Sequence, residues 1–123
     1  MKVLSLQPPW PYAIFRLGKD VENRNWWTRF TGTCLIHASK TWDDEGFYFI
    51  KGELGLYVPS KHLHVFGAIQ GQVEIYGCVK EFGSPWFSGK YGFLLTNPVE
   101  FEIPIPMKGQ LGFFEAEIKG EGR

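Results

Sequence analysis

Hydrophobic positions in this chain come in short runs whose period changes several times, and each change marks an element boundary. Residues 3–6 (VLSL) read as a short strand, stopped by Gln7-Pro8-Pro9-Trp10-Pro11. Proline suits a helix start, where the first N–H groups have no partner in any case. Residues 12–17 then carry the apolar density of a short buried helix, with Gly18 just past its end. Residues 20–25 alternate, which sets Glu22 and Arg24 on one face of an extended segment and Val21 and Asn23 on the other. Residues 33–38 (TCLIHA) are the next strand, and Leu35, His37 and Ser39 share a face there.

Asp43-Asp44-Glu45 suits a helix N-terminus, where the macrodipole favours negative charge; that helix extends to about Leu54, before Gly55. Residues 68–81 (AIQGQVEIYGCVKE) give the strongest strand signal, with Gly71 and Gly77 at positions where a barrel strand would bend or bulge. Residues 91–96 and 111–118 supply further strands, and Pro104, Pro106 and Gly109 mark the connection between them. The expected fold class is α+β: one domain over residues 1–123, a curled antiparallel sheet or open β-barrel with two flanking helices.

Composition sharpens this. Hydrophobic residues at 44% and charged residues at 21% are ordinary globular usage and exclude disorder. Aromatics at 17%, punctuated by 15 Gly and 8 Pro, fit many short strands and tight turns. Thirteen basic and thirteen acidic residues give a formal net charge of +0. A protein held to nucleic acid mainly by phosphate contacts is normally basic, so any such contact must rest on a local patch. Cys34 and Cys78 are too few for a disulfide framework or a structural zinc site, and read as two buried thiols in a reducing cytoplasm. No apolar run approaches the ~20 residues that span a bilayer, and the first residues lack a signal-peptide core. The expectation is a cytoplasmic protein with no membrane contact.

Several motifs fail on inspection. Residues 83–90 (GSPWFSGK) resemble a phosphate-binding loop but have five residues between the glycines, and Tyr91 stands where a magnesium-binding hydroxyl is required. His62 and His64 have no nearby Cys or carboxylate pair, so no metal and no cofactor is expected. No glycine-flanked serine offers a nucleophile elbow, although His37 and Ser39 leave a weak opening for acyl chemistry. The Lys19, Glu22 and Arg24 set differs from these. Three polar heads converging from a turn and a strand can hold a polar ligand, with cations on phosphate or carbonyl and the carboxylate on an amino group. The same residues can equally form a solvated ion-pair ladder worth only ~0–1 kcal/mol.

At this point the chain resembles the ASCH domain family, a branch of the PUA-like β-barrels. Lys19, Glu22 and Arg24 match the Lys-x-x-Glu-x-Arg part of the family's Gly-x-Lys-x-x-Glu-x-Arg signature; Leu17 holds the glycine's place and Gly18 follows. Leu4-Ser5-Leu6-Gln7-Pro8-Pro9-Trp10 is similar to the family's opening with one extra proline, and Leu35-Ile36-His37-Ala38-Ser39-Lys40 follows in order. Ser84-Pro85-Trp86-Phe87, Tyr91-Gly92-Phe93 and Pro104-Ile105-Pro106-Met107-Lys108-Gly109 resemble a subgroup of small bacterial and phage members.

The resemblance implies a cleft between barrel and helices that takes RNA, a nucleotide or a nucleoside. Lys19, Glu22 and Arg24 would stand there beside aromatic side chains, on which single-stranded bases stack at ~1–3 kcal/mol each. Trp10 and Trp86 are the stacking candidates, each set among prolines, glycines or serines; either could instead plug a barrel end. Trp26, Trp27 and Trp42 read as core or rim packing. His37 and Ser39 would reach a base edge if their face lines the cleft, with Lys40, Lys90 and Tyr91 at its mouth; His37 is otherwise a satisfied core histidine and the lysines solvated. A second class is an enzyme. Some relatives are amidohydrolases acting on acylated cytidine through a lysine, a threonine three residues on and a glutamate, and others have been proposed to be nucleases. Lys19 matches the lysine, while Glu22 stands in the threonine's place, so catalysis would fall to Lys19 and Glu22. The neutral charge and aromatic content fit a third class, a protein-interaction module.

Overall fold

The structure, a computed structural model, describes residues 1–118. Six strands are β1 (Lys2–Leu6), β2 (Val21–Arg24), β3 (Gly32–Ala38), β4 (Ala68–Val79), β5 (Tyr91–Pro106) and β6 (Phe113–Glu115). They form one curled sheet in the order β2-β5-β4-β3-β1-β6, a half-barrel flanked by helices α1 (Trp10–Arg16) and α2 (Asp44–Tyr48). Every pairing is antiparallel except β1 with β3. A parallel pair needs a long crossover, and here the crossover carries α1, β2 and the aromatic loop that follows.

Helix α1 begins two residues earlier than the apolar density suggests, because Trp10 joins its first turn, and it ends at Arg16, with Leu17 as its C-cap and Gly18 at φ +75°. Asp43 caps α2, its Oδ1 accepting from the Gly46 N–H at 2.9 Å. The helix widens into a π-turn over Phe49–Glu53 before Gly55 at φ +64°.

β3 is buried on both faces from Cys34 to Ala38, so it reads as a continuous run and hides its alternation. Cys34 and Ile36 join Leu4, Leu6, Ile14, Val73, Ile75 and Phe93 on one face. Leu35 joins Val3, Ile69, Phe101 and Phe114 on the other. Each such fully buried side chain contributes about 1.5–3 kcal/mol. Gly71 and Gly77 do sit where the β4–β5 register slips. At Gly71 the reason is contact: a Cβ would stand 2.3 Å from the Val99 carbonyl and 2.5 Å from Phe15 Cζ.

The connection expected around Pro104 and Pro106 is instead strand, since β5 runs unbroken to Pro106. β2 pairs only with Tyr91 to Leu94 of β5. Beyond the Leu95 N–H, which donates to the Asp20 carbonyl at 3.0 Å, no strand pairs with that edge among the described residues, and prolines are tolerated on an edge that donates no ladder bond. β6 is correspondingly short. The half-barrel's open seam is bridged by Arg24, whose Nη2 donates to the Ser5 carbonyl at 3.0 Å, and by Phe93 stacked on Phe113 at 5.7 Å, with Trp26 edge-on to both at 5.1 and 5.5 Å. Among the described residues no helix is long and apolar enough to cross a membrane.

Candidate functional site

Lys19 follows the α1 C-terminus, at the turn into β2, where its side chain folds inward and is only 4% exposed. Its Nζ donates to Glu22 Oε1 at 2.9 Å and to the Val21 carbonyl. Glu22, 9% exposed, accepts Arg24 Nε on its other oxygen at 3.2 Å. The three residues thus form one connected triad in which the carboxylate is shared by two cations. This is more than a solvated ladder: burial strengthens each charge pair and makes a missing partner costly.

Trp10 stands beside the triad. Its ring lies 5.3 Å from Lys19 Nζ, a cation–π arrangement. Its Nε1 donates to Asp43 Oδ2 at 2.7 Å, so one carboxylate both caps α2 and fixes the indole. Gly46 lies beneath the ring, where a Cβ would meet Trp10 Cζ2 at 2.6 Å. Trp10, Glu22 and Arg24 line a cavity of about 520 Å³, together with Asn25, Thr41 and Gln110. That volume is within the usual range for small-molecule sites, ~300–1,000 Å³.

A second cavity, of about 670 Å³, adjoins the first and shares Ser5, Ser39, Gln110 and Leu111 with it. His37, Ser39 and Lys40 line this one. His37 is 1% exposed, with Nδ1 2.8 Å from Ser5 Oγ and Nε2 2.6 Å from the Met107 carbonyl. Its partner is therefore Ser5; the Ser39 hydroxyl bonds instead within its own turn, to Thr41.

No protein-family model matches the chain, and no curated protein matches it at a significant level. The site must therefore be read from its own geometry.

Four of the expected residues line neither cavity: Lys19 faces a smaller pocket of about 200 Å³ with Trp10 and Glu22, and Trp86, Lys90 and Tyr91 lie elsewhere. Trp86 is 7% exposed and packs with Ala13, Val21, Ile50 and Val58, so it is core and presents no ring to the cleft. The prolines and serines around it do form a turn, but the turn folds inward: Asn23 Nδ2 donates to the Trp86 carbonyl at 2.9 Å, and Asn23 Oδ1 accepts the Ser88 N–H at 3.0 Å. Tyr91 stacks edge-on to Trp27 at 5.9 Å, with Lys90 Nζ 5.8 Å from its ring, away from both cavities. The phosphate-loop lookalike is a turn pinned by Ser84 Oγ on Asp20 Oδ1 at 2.6 Å.

Ser5, Asn25, Asp43 and Gln110 belong to the site and escape a sequence reading. Asp43 is legible as a helix cap, but its hold on Trp10 spans 33 residues and leaves no local signal. Cys34 is inert chemistry: burial pushes its thiol pKa up to about 12.

Proposed function

We propose that this chain is an ASCH-type, PUA-like module that binds an exposed RNA base or a free nucleotide in the 520 Å³ cavity. The observation that carries the reading is the wall of that cavity: an indole locked by Asp43 beside the Glu22 carboxylate, with Lys19 holding both from a smaller pocket of about 200 Å³. A base is flat, apolar on its faces and polar on its edges. Trp10, held between Lys19 and Gly46, gives the base an aromatic edge to pack against, and Glu22, Arg24, Asn25 and Thr41 supply donors and acceptors for the polar edge.

The amidohydrolase reading has less support. Glu22 brings no hydroxyl nucleophile, and both its oxygens already accept bonds from cations. Nothing in the cavity favours a protein partner over a small planar ligand.

Titration of nucleosides, mononucleotides and short single-stranded RNAs, followed by tryptophan fluorescence and calorimetry, tests the proposal. Binding by the wild-type protein that weakens about 5- to 160-fold in Trp10→Ala is expected, as loss of one aromatic contact to a base costs ~1–3 kcal/mol. Wild-type protein that binds none of these ligands, or a Trp10→Ala variant that binds as well, rejects it.

A further inference from the structure

The 670 Å³ cavity holds a feature that base binding does not use. Ser5 on β1 and His37 on β3 are direct neighbours in the parallel register, and a β-bulge between Ile36 and His37 re-aims the histidine. The Met107 carbonyl can only accept, so the 2.6 Å bond to Nε2 requires the proton on Nε2. In the neutral ring Nδ1 then carries the lone pair, and the Ser5 hydroxyl donates to it at 2.8 Å. Hydroxyl, imidazole and an acceptor that fixes the tautomer are the parts of an activated serine. The separation is within the 2.6–3.2 Å expected of a nucleophile and its general base.

Two further contacts hold the pair. Arg24 Nη2 grips the Ser5 carbonyl, which fixes the strand that carries the hydroxyl. At Gly109 the main chain passes so close that a Cβ would stand 3.0 Å from Ser5 Oγ and 2.8 Å from His37 Cε1. Only glycine permits that approach, so the main chain packs directly against both groups and holds them together. Ser5 and His37 both line the cavity, with Met107 and Leu111 as apolar wall and Lys40 and Lys108 as cations.

We propose that Ser5 and His37 form an acyl-transfer dyad acting on carboxylic esters with a short apolar acyl group. Ser5 Oγ bonds to the ester carbonyl carbon while His37 Nδ1 takes the hydroxyl proton. The carbon–oxygen bond to the leaving alcohol then breaks, and that proton passes to the departing oxygen. Water attacks the acyl-serine by the same route, giving the carboxylic acid and restoring Ser5. No oxidant, reductant or metal takes part. The proposal is independent of base binding in the neighbouring cavity.

The wild-type chain is incubated with a fluorophosphonate probe, digested and sequenced by mass spectrometry, and p-nitrophenyl butyrate hydrolysis is followed in parallel. One adduct on Ser5 is expected, with hydrolysis reduced about 100-fold or more in Ser5→Ala and in His37→Gln. Ser60→Ala is the control, since Ser60 makes an exposed contact with His62, does not line the cavity and should leave turnover unchanged. Thermal unfolding of each variant separates lost chemistry from lost fold, and the wild-type labelling needs no variant. Absence of a Ser5 adduct in folded wild-type protein, or undiminished hydrolysis by folded Ser5→Ala, overturns the proposal.

Discussion

Glu22 and Lys19 depend on each other unequally. Removing Lys19 leaves Glu22 still bonded to Arg24, a cation that is partly exposed and holds a second partner in the Ser5 carbonyl. Removing Glu22 leaves Lys19 enclosed with only the Val21 carbonyl to accept from it and no countercharge. Breaking a buried pair costs roughly 3–5 kcal/mol when the surviving charge is stranded. Glu22→Ala is therefore expected to lose stability near that figure, and Lys19→Met clearly less, because methionine also replaces the buried stem. Urea unfolding of the two variants measures the difference; equal midpoints would contradict it. At this scale legibility follows sequence distance. The triad spans six residues, so turn and strand spacing reveal it. The bonds Ser5–His37 and Trp10–Asp43 close over 32 and 33 residues, and no local pattern encodes them.

Among the elements, the strands whose sequences alternate or bend were readable and those that depend on their neighbours were not. β4 advertised itself through its length and its two glycines. β5 was legible over residues 91–96 but not in its proline-bearing second half, because such a stretch is acceptable as strand only if its outer edge is free, and that is fixed by how far β2 extends. The segment between α2 and β4 shows the same dependence. His64 packs edge-on against Trp42 and Tyr12 at 5.1 and 5.5 Å, and its Nε2 donates to the Pro59 carbonyl at 2.8 Å. Burial lowers its pKa from 6.5, outweighing the Pro59 bond, which acts in the opposite direction. The folded state thus holds its proton less tightly than the unfolded chain. The contribution of His64 is fully present above about pH 6.5 and is lost as pH falls through the lowered folded-state value. The melting temperature should drop between pH 7.5 and pH 5.5, and drop less in His64→Gln, which keeps a donor for Pro59. Identical pH dependence in the two proteins would remove His64 as the cause.

Over the whole molecule, charge decides how a nucleic acid could be held. A net charge of +0 means that no broad positive field draws in a phosphate backbone. Four cations stand at or near the two adjoining cavities: Lys19, Arg24, Lys40 and Lys108. Lys19 and Arg24 are already committed to Glu22, so phosphate contacts fall to Lys40 and Lys108, with Arg24 as at most a third. Each neutralised phosphate of a single strand contributes about −0.7 to the slope of log affinity against log salt. Two or three contacts then give a slope between about −1.4 and −2.1, or a loss of roughly 7- to 20-fold between 50 and 200 mM salt. Packing against Trp10 and edge contacts to Glu22 do not release counterions, so they persist at high salt. The expected signature is an RNA affinity that declines gently with salt in the wild type and becomes flatter still in Lys40→Ala/Lys108→Ala. A slope of about −4 or steeper would require six phosphates, more cations than this face presents, and would place the binding surface elsewhere on the molecule.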